Sequence, residues 1–522
     1  MSRRPGRPTG GRRGRAGAFA IAFLTASAAG LARADDDAST LRISATDKLE
    51  YRRFAHEGVR EEAFRNRLEV SGYQGIFSAW LRLESLELSN AAVYDPYAVA
   101  KTGVTGEQRI DQTEVTKRLF GVETEHFRVQ AGDVSNVFGR GLAMSVFEDE
   151  ELNFDTRLEG VRARGENDLG AATVVAGSQL GNRFRGVFVE PRPFDLRGPW
   201  PKARARVGGS FVEAWGATAN TDILPREQQS GGLAELVVGP ATVYGEWVER
   251  EFPGKDGLGH LGKPGHGGFF SGEVTTHGVT FSAEHKDFYR FEHKYHDPPT
   301  TLRQHTWTSL LRVNGQILSD IPDDDVNGTL LQAEWAPGTF TSFLGSWAQL
   351  DKDVGSDRFR EVYGEAKTTW REKVFLTGAA ADSRAHLGTQ HEERITGLGE
   401  DVMHLDDVNS ITLEGEWAEV KRFDDTTFRF QDPRRFHDRI FAISYGRSPW
   451  LDLTVTREDT DEGAATEPRS VWGNVIAEIN VADGHDVVLS YGSERGGWKC
   501  TGGVCFYEPE FEGMKIKWVG RF

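Results

Sequence analysis

Along this 522-residue chain, apolar and polar side chains alternate with a period of two in segment after segment. In "ITLEGEWAE", Ile411, Leu413, Gly415 and Trp417 share one face, while Thr412, Glu414 and Glu416 share the other. "LDLTVTRE" sets Leu451, Leu453 and Val455 against Asp452, Thr454, Thr456 and Glu458. "VTFSAEHK" puts Val279, Phe281 and Ala283 in one row, and "TLLQAEWA" does the same with Leu331, Ala333 and Trp335. Successive β-carbons of a strand point to opposite faces, so each segment predicts a strand with one apolar and one polar surface. A sandwich alternates in the same way, so period two by itself establishes only an all-β class.

The links between these segments carry more information. After residue 200, short links at Val238–Thr242, Thr276–Gly278, Ala336–Thr339, Trp370–Glu372, Arg447–Trp450 and Ala482–Gly484 alternate with long polar stretches. The long stretches lie near 217–229, 251–267, 290–327, 422–437, 458–469 and 494–510. One rim of tight turns and one of long loops is the pattern of a membrane-spanning barrel. Keeping the alternation requires one more strand within "HEERITGLGED", His391–Asp401. The predicted fold is all-β: a single large antiparallel transmembrane β-barrel of about 20–24 strands, with short periplasmic turns and long outer loops. About sixteen of those strands follow residue 200. Before it the pattern is weaker: strands are expected from about Phe64, and residues 180–202 fit none clearly. No repeat of 20–50 residues is visible, which counts against a solenoid or propeller.

The N-terminus supplies a compartment. "MSRRPGRPTGGRRGR" has six arginines and no acid, Ala16 to Leu31 is an apolar run, and Ala32–Ala34 reads as a small-x-small cleavage site. That order predicts a signal peptide over 1–34, leaving 35–522 as the barrel; an uncleaved anchor would need ~20 apolar residues and no cleavage site. Removing seven arginines leaves 62 − 7 = 55 basic residues against 79 acidic ones, a formal charge of −24. Such a balance repels nucleic acid. Beyond the signal no apolar run reaches the length of a membrane helix, so a spanning chain would have to close as a barrel.

The chain stops on "GMKIKWVGRF", with Met514, Ile516, Trp518, Gly520 and Phe522 in one row and Lys515, Lys517 and Arg521 in the other. Together with the signal peptide and the loop rhythm, this ending resembles Gram-negative outer-membrane β-barrel proteins such as porins. The resemblance implies a place in the bacterial outer membrane, among its lipids and lipopolysaccharide. It also implies that Trp518 and Phe522 form a targeting signal read by the barrel-assembly machinery. Residues 132–163 resemble a stretch of large bacterial barrels of unknown function, which implies no activity.

Four features bear on function. Ser135–Asp155, "SNVFGRGLAMSVFEDEELNFD", does not alternate. Folded into the lumen, it would pack through Leu142, Met144, Val146 and Phe147 and present Arg140 against Glu148, Asp149, Glu150 and Glu151 as a constriction. An extended strand followed by a polar outer loop accounts for it equally well. "DDDVNGTLLQAE" matches a calcium-loop pattern through Asp323, Asp325, Asn327, Gly328 and Glu334, although its second half reads as a strand. The histidines His260, His266, His293 and His296 fall on adjacent loops, where a solvated loop is the plainer reading than a metal site. Cys500 and Cys505 flank Thr-Gly-Gly-Val, short and flexible enough for a disulfide in an exported chain.

No local catalytic motif such as G-x-S-x-G appears, so no enzyme is expected and no cofactor beyond calcium. A barrel this wide is not filled by side chains. The expected function is a porin-like diffusion channel for small polar or cationic solutes. The alternative is a binding or scaffold protein with a blocked lumen and partner-binding outer loops.

Overall fold

The computed structural model describes residues 40–522 apart from 57–58, 90–109, 151–153, 180, 197–202, 217–225, 252–263, 292–324, 353–356, 372, 388–389, 425–433, 463–468, 502–503 and 509. The signal-peptide region therefore lies outside the described residues. Among those described, every regular element is a β-strand. The wall strands pair antiparallel with their neighbours in sequence from Arg42–His56 to Phe511–Arg521. Those two then pair with each other, Thr46 opposite Arg521 and Phe54 opposite Gly513. Closure leaves the main sheet without an edge.

The main sheet has 25 strands, but the short Phe194–Leu196 shares one wall position with Asn182–Pro191, because both pair with Ala203–Trp215. The barrel thus has 24 staves. The strand expected within His391–Asp401 is present as Gln390–His404 and pairs on both sides. The wall begins at Arg42 rather than near Phe64. Its first strand was hidden because both faces carry charge: Asp47 shares its face with Leu49, where Asn66 Nδ2 donates to it at 2.7 Å.

Every short link named above lies on one rim, which also holds Arg42 and the C-terminal Arg521. At Thr276–Val279 the two central residues, His277 (φ 50°) and Gly278 (φ 77°), both take positive φ. That is the turn geometry that matches strand twist in a two-residue hairpin, and glycine adopts it without strain.

Cross-strand register carries the apolar rows around the outside. Trp335 faces Phe343, Leu331 faces Trp347, and Trp347 faces Val362. The last strand joins this surface: Trp518 lies opposite Leu49 and Val487, and Ile516 opposite Tyr51 and Leu489. Phe77, Phe120, Phe127, Trp335, Phe343 and Trp370 are exposed towards the short-turn rim, and Trp247, Trp347, Trp417 and Tyr491 towards the other. Between Val362 and Trp370 a tilted strand rises roughly 20 Å, close to the height of a barrel's apolar band.

Candidate functional site

The alternate rows face the lumen, and there the segment after Phe127–Val134 turns inward. It forms two small hairpins, Asn136–Phe138 with Met144–Val146 and Glu148–Asp149 with Phe154–Asp155, before rejoining the wall at Leu158–Asn167. Phe138, Leu142, Ala143, Met144 and Val146 are buried in one cluster with lumen-facing Val175, Phe184, Phe188, Tyr244 and Phe269. Phe138 stacks on Phe188 with ring centroids 5.5 Å apart. The loss of strand alternation over this stretch has a physical cause: the segment buries apolar groups against a neighbouring wall, not across a pleat.

The tip is fastened by a carboxylate. Glu246 Oε2 accepts the backbone N–H of Arg140 at 2.7 Å and the hydroxyl of Tyr244 at 2.7 Å. Gly139 has φ 58°, and a β-carbon there would lie 2.6 Å from the Glu246 carboxylate. Glycine is therefore what lets the backbone come this close. The Arg140 guanidinium lies 4.4 Å from the Tyr244 ring centroid and 5.1 Å from that of Phe269, a cation–π arrangement on the lumen side.

The acidic end binds the wall eight to ten strands away, at the first three staves. Glu150 accepts Lys48 Nζ at 2.5 Å, and its carboxylate lies 3.1 Å from Arg67 and 2.6 Å from Arg82. Glu148 pairs with Arg82 and, at 3.0 Å, with Arg157. Arg82 also holds Glu69 at 2.7 Å and is only 2% exposed. Burial works against the charge on Glu150, yet the Lys48 hydrogen bond and the Arg67 and Arg82 charges together outweigh it and hold the carboxyl down at about 2. The segment is thus clamped by charge at one end and by aromatic packing at the other, against staves lying eight to ten positions apart in a ring of 24.

Of the five expected constriction residues, Arg140, Glu148 and Glu150 are on the lumen side. The side chain of Asp149 and the whole of Glu151 lie outside the described residues. Sequence reasoning missed the groups that receive them, Lys48, Arg67, Arg82, Tyr244 and Glu246. Their only signal was a polar row shared across strands: Lys48 opposite Arg67 and Glu69 opposite Arg82.

A second ion network occupies the lumen face on the C-terminal side, near the rim opposite the short turns. Arg422 pairs with Glu392 at 2.9 Å and Glu462 at 2.7 Å, Arg394 with Glu392 at 3.1 Å, and Arg495 with Asp438 at 3.0 Å and Glu458 at 3.4 Å.

The calcium reading is corrected. Asp323 lies outside the described residues, and Asp325 accepts the Arg290 backbone N–H at 2.6 Å. Asn327 and Glu334 both belong to the strand Val326–Gly338. Seven residues of extended chain separate them by roughly 23 Å, too far for one ion. Among the described residues no group of three or more potential ligands could hold a metal. His266 stacks on Trp247 at 4.6 Å, and the other three loop histidines are outside the described residues. Cys500 and Cys505 face each other in the hairpin Gly497–Thr501 with Val504–Glu508; their side chains are not among those described. Phe522 continues the closing ladder, its N–H donating to the Ala45 carbonyl at 2.8 Å, and its ring lies 6.5 Å from that of Trp518.

Comparison with solved structures finds similar barrels at low identity. The siderophore receptor PirA from Pseudomonas aeruginosa aligns at 8% identity over 94% of this chain and 81% of its own, with a TM-score of 0.44. The translocation pore of the P pilus usher PapC aligns at 7% over 92% and 99%, with a TM-score of 0.42. The outer membrane transporter YddB from Escherichia coli aligns at 8% over 92% and 81%, also at 0.42. No curated protein matches the chain. Residues 442–522, the C-terminal strands, match a family described as "Family of unknown function (DUF6029)".

Proposed function

We propose that the chain is an outer-membrane barrel acting as a porin-like diffusion channel for small polar or cationic solutes, narrowed by the segment over 135–155. The supporting observation is the double clamp of that segment on the lumen wall, at Glu150 on Lys48, Arg67 and Arg82 and at Arg140 on Tyr244 and Glu246. An element fastened so as to narrow a water-filled space suits sieving. The closed wall, outward apolar band and aromatic rows suit a membrane setting. No enzyme activity is proposed. Lipids and lipopolysaccharide would surround the wall, and the barrel-assembly machinery would read Trp518 and Phe522. A Cys500–Cys505 bridge fits their register, since directly opposed residues have α-carbons about 4.5–5.5 Å apart, inside the disulfide range.

The test is conductance of the purified full chain in planar bilayers. Steady ion flow with weak cation preference is expected, because the acidic lumen rows focus negative potential. A silent barrel in a sealed bilayer would overturn the channel and leave the blocked-lumen scaffold.

A further inference from the structure

The outer surface carries an arrangement that a channel does not use. Four neighbouring strands, Arg358–Trp370, Val374–Leu387, Gln390–His404 and Asn409–Asp424, bear two adjacent outward rows towards the rim opposite the short turns. In one row Arg358, His386, His391 and Phe423 are successive cross-strand partners; in the other they are Arg360, Arg384, Glu393 and Lys421. These rows, with the lumen-side Ala385 and Glu392 between them, line a cleft of about 520 Å³; Glu392 is already paired with Arg394 and Arg422. Arg360 stands directly opposite Arg384, and the rings of His386 and His391 have centroids 3.8 Å apart. Like charges directly opposite each other in a sheet are destabilising.

Nearby carboxylates answer only part of this charge. Asp351 pairs with Arg358, Asp382 lies 3.6 Å from Arg384, and Glu393 lies 3.6 Å from Lys421. Arg360 has no ion-pair partner among the described residues. One anion between Arg360 and Arg384 would remove the repulsion, and phosphate oxygens match the guanidinium fork in bidentate fashion.

The surface on the side of the short turns indicates what the anion is attached to. The next row holds exposed Val362 and Ile395 with Asp382 and Glu419. Beyond it come Gly364, Ala380 and Gly397, then Ala366, Gly378 and Gly399, each set in cross-strand register. A β-carbon on any of these four glycines would meet nothing within 4 Å, so the rows form a shallow furrow. Exposed Trp347 and Trp417 flank it. A cationic pair above an apolar furrow fits an amphiphile with a phosphorylated head.

We infer that this cleft binds the phosphate-bearing headgroup of a membrane lipid in the leaflet at the rim opposite the short turns, with an acyl chain along the furrow. The inference rests on the outer-membrane reading above. It places a specific lipid contact on one sixth of the wall, four staves of 24, where Arg360 and Arg384 clamp phosphate and Phe423 borders the cleft.

Native mass spectrometry of the full-length barrel in detergent tests it, with bisphosphorylated lipid A, its dephosphorylated form and inorganic phosphate as probes. The wild type should retain the phosphorylated lipid about tenfold better than the dephosphorylated one, as expected for charge-assisted bidentate contacts. The double variant Arg360→Gln, Arg384→Gln should lose that preference. In lipid-free detergent the same variant should melt no lower than wild type, because the opposed charges are gone; this separates lost binding from misfolding. Equal retention of both lipids, or an unaffected variant, would overturn the proposal. Displacement by millimolar inorganic phosphate would also overturn it, by making the site one for free phosphate. Recovery of the chain as a soluble protein on cell fractionation would instead defeat the outer-membrane reading. A membrane-embedded barrel without phosphate preference defeats the lipid site alone.

Discussion

Arg82 and Arg495 are buried guanidinium groups on the same lumen surface, each among three carboxylates, yet they tie down different things. Arg82 meets Glu69 on the wall and Glu148 and Glu150 on the inserted segment. Arg495 meets Asp438 and Glu458 on wall strands and Glu462 just beyond one. The first network joins the barrel to an element that the wall ladder does not hold. The second reinforces strands that backbone hydrogen bonds already fix. Equal chemistry therefore has unequal consequences: one network holds an inserted element on the lumen wall, the other braces strands near a rim.

The largest effect to expect comes from separating the two. Removing one partner of a buried ion cluster costs about 3–5 kcal/mol, because the remaining charges stay buried and unpaired. Arg82→Ala should spend that loss on the segment. Unitary conductance should rise, and Ser135–Asp155 should become open to protease from the lumen. Arg495→Ala should lower thermal stability while leaving conductance near the wild-type value. A rise of equal size in both variants would mean that the wall, not the segment, limits passage.

How far the sequence revealed this contrast depends on what each residue packs against. The C-terminal staves were legible because their outward faces are apolar and their inward faces polar, as in "ITLEGEWAE" and "LDLTVTRE". The alternation of short and long links, not of faces, required a strand within His391–Asp401, which is Gln390–His404, although Glu392, Glu393, Arg394, Glu400 and Asp401 crowd it. Arg42–His56 escaped because Asp47 interrupts its apolar row. The segment over 135–155 announced itself only by breaking the period. Its direction was open, since the partners of Glu148 and Glu150 lie 66 and 68 residues away from them in sequence at Arg82. Pairing across such distances leaves no local pattern. The calcium match failed for the opposite reason: a local pattern lay along an extended strand that holds its oxygens apart.

A smaller effect sharpens the same contrast through protons. The Glu150 carboxyl is held at about 2, below its ordinary 4.5, by Lys48, Arg67 and Arg82. A depressed carboxylate contributes stability that is fully present above its unfolded value and is lost as pH falls through the folded one. Conductance should therefore stay level from neutral pH to about 4 and change only as pH approaches 2, where protonated Glu150 releases its cations. Glu150→Gln should show at neutral pH much of what acid does to the wild type. A wild-type transition centred near pH 6 would point to histidines and away from this clamp.

The smallest expected effect is at the other end of the segment. Arg140 is held to Glu246 by its backbone N–H, while its guanidinium lies on Tyr244 and Phe269 with its outer surface exposed to the lumen. Arg140→Glu keeps the backbone bond that fastens the tip, so the segment should stay in position. It exchanges one fixed cation beside the ion path for an anion, which raises the local concentration of cations. The reversal potential under a salt gradient should move modestly towards cation selectivity, with unitary conductance nearly unchanged, and the shift should shrink at high salt as screening shortens. A reversal potential identical to wild type at low salt would remove Arg140 from the ion path, and the narrow point would then have to be sought at the acidic end, where Glu150 meets Lys48.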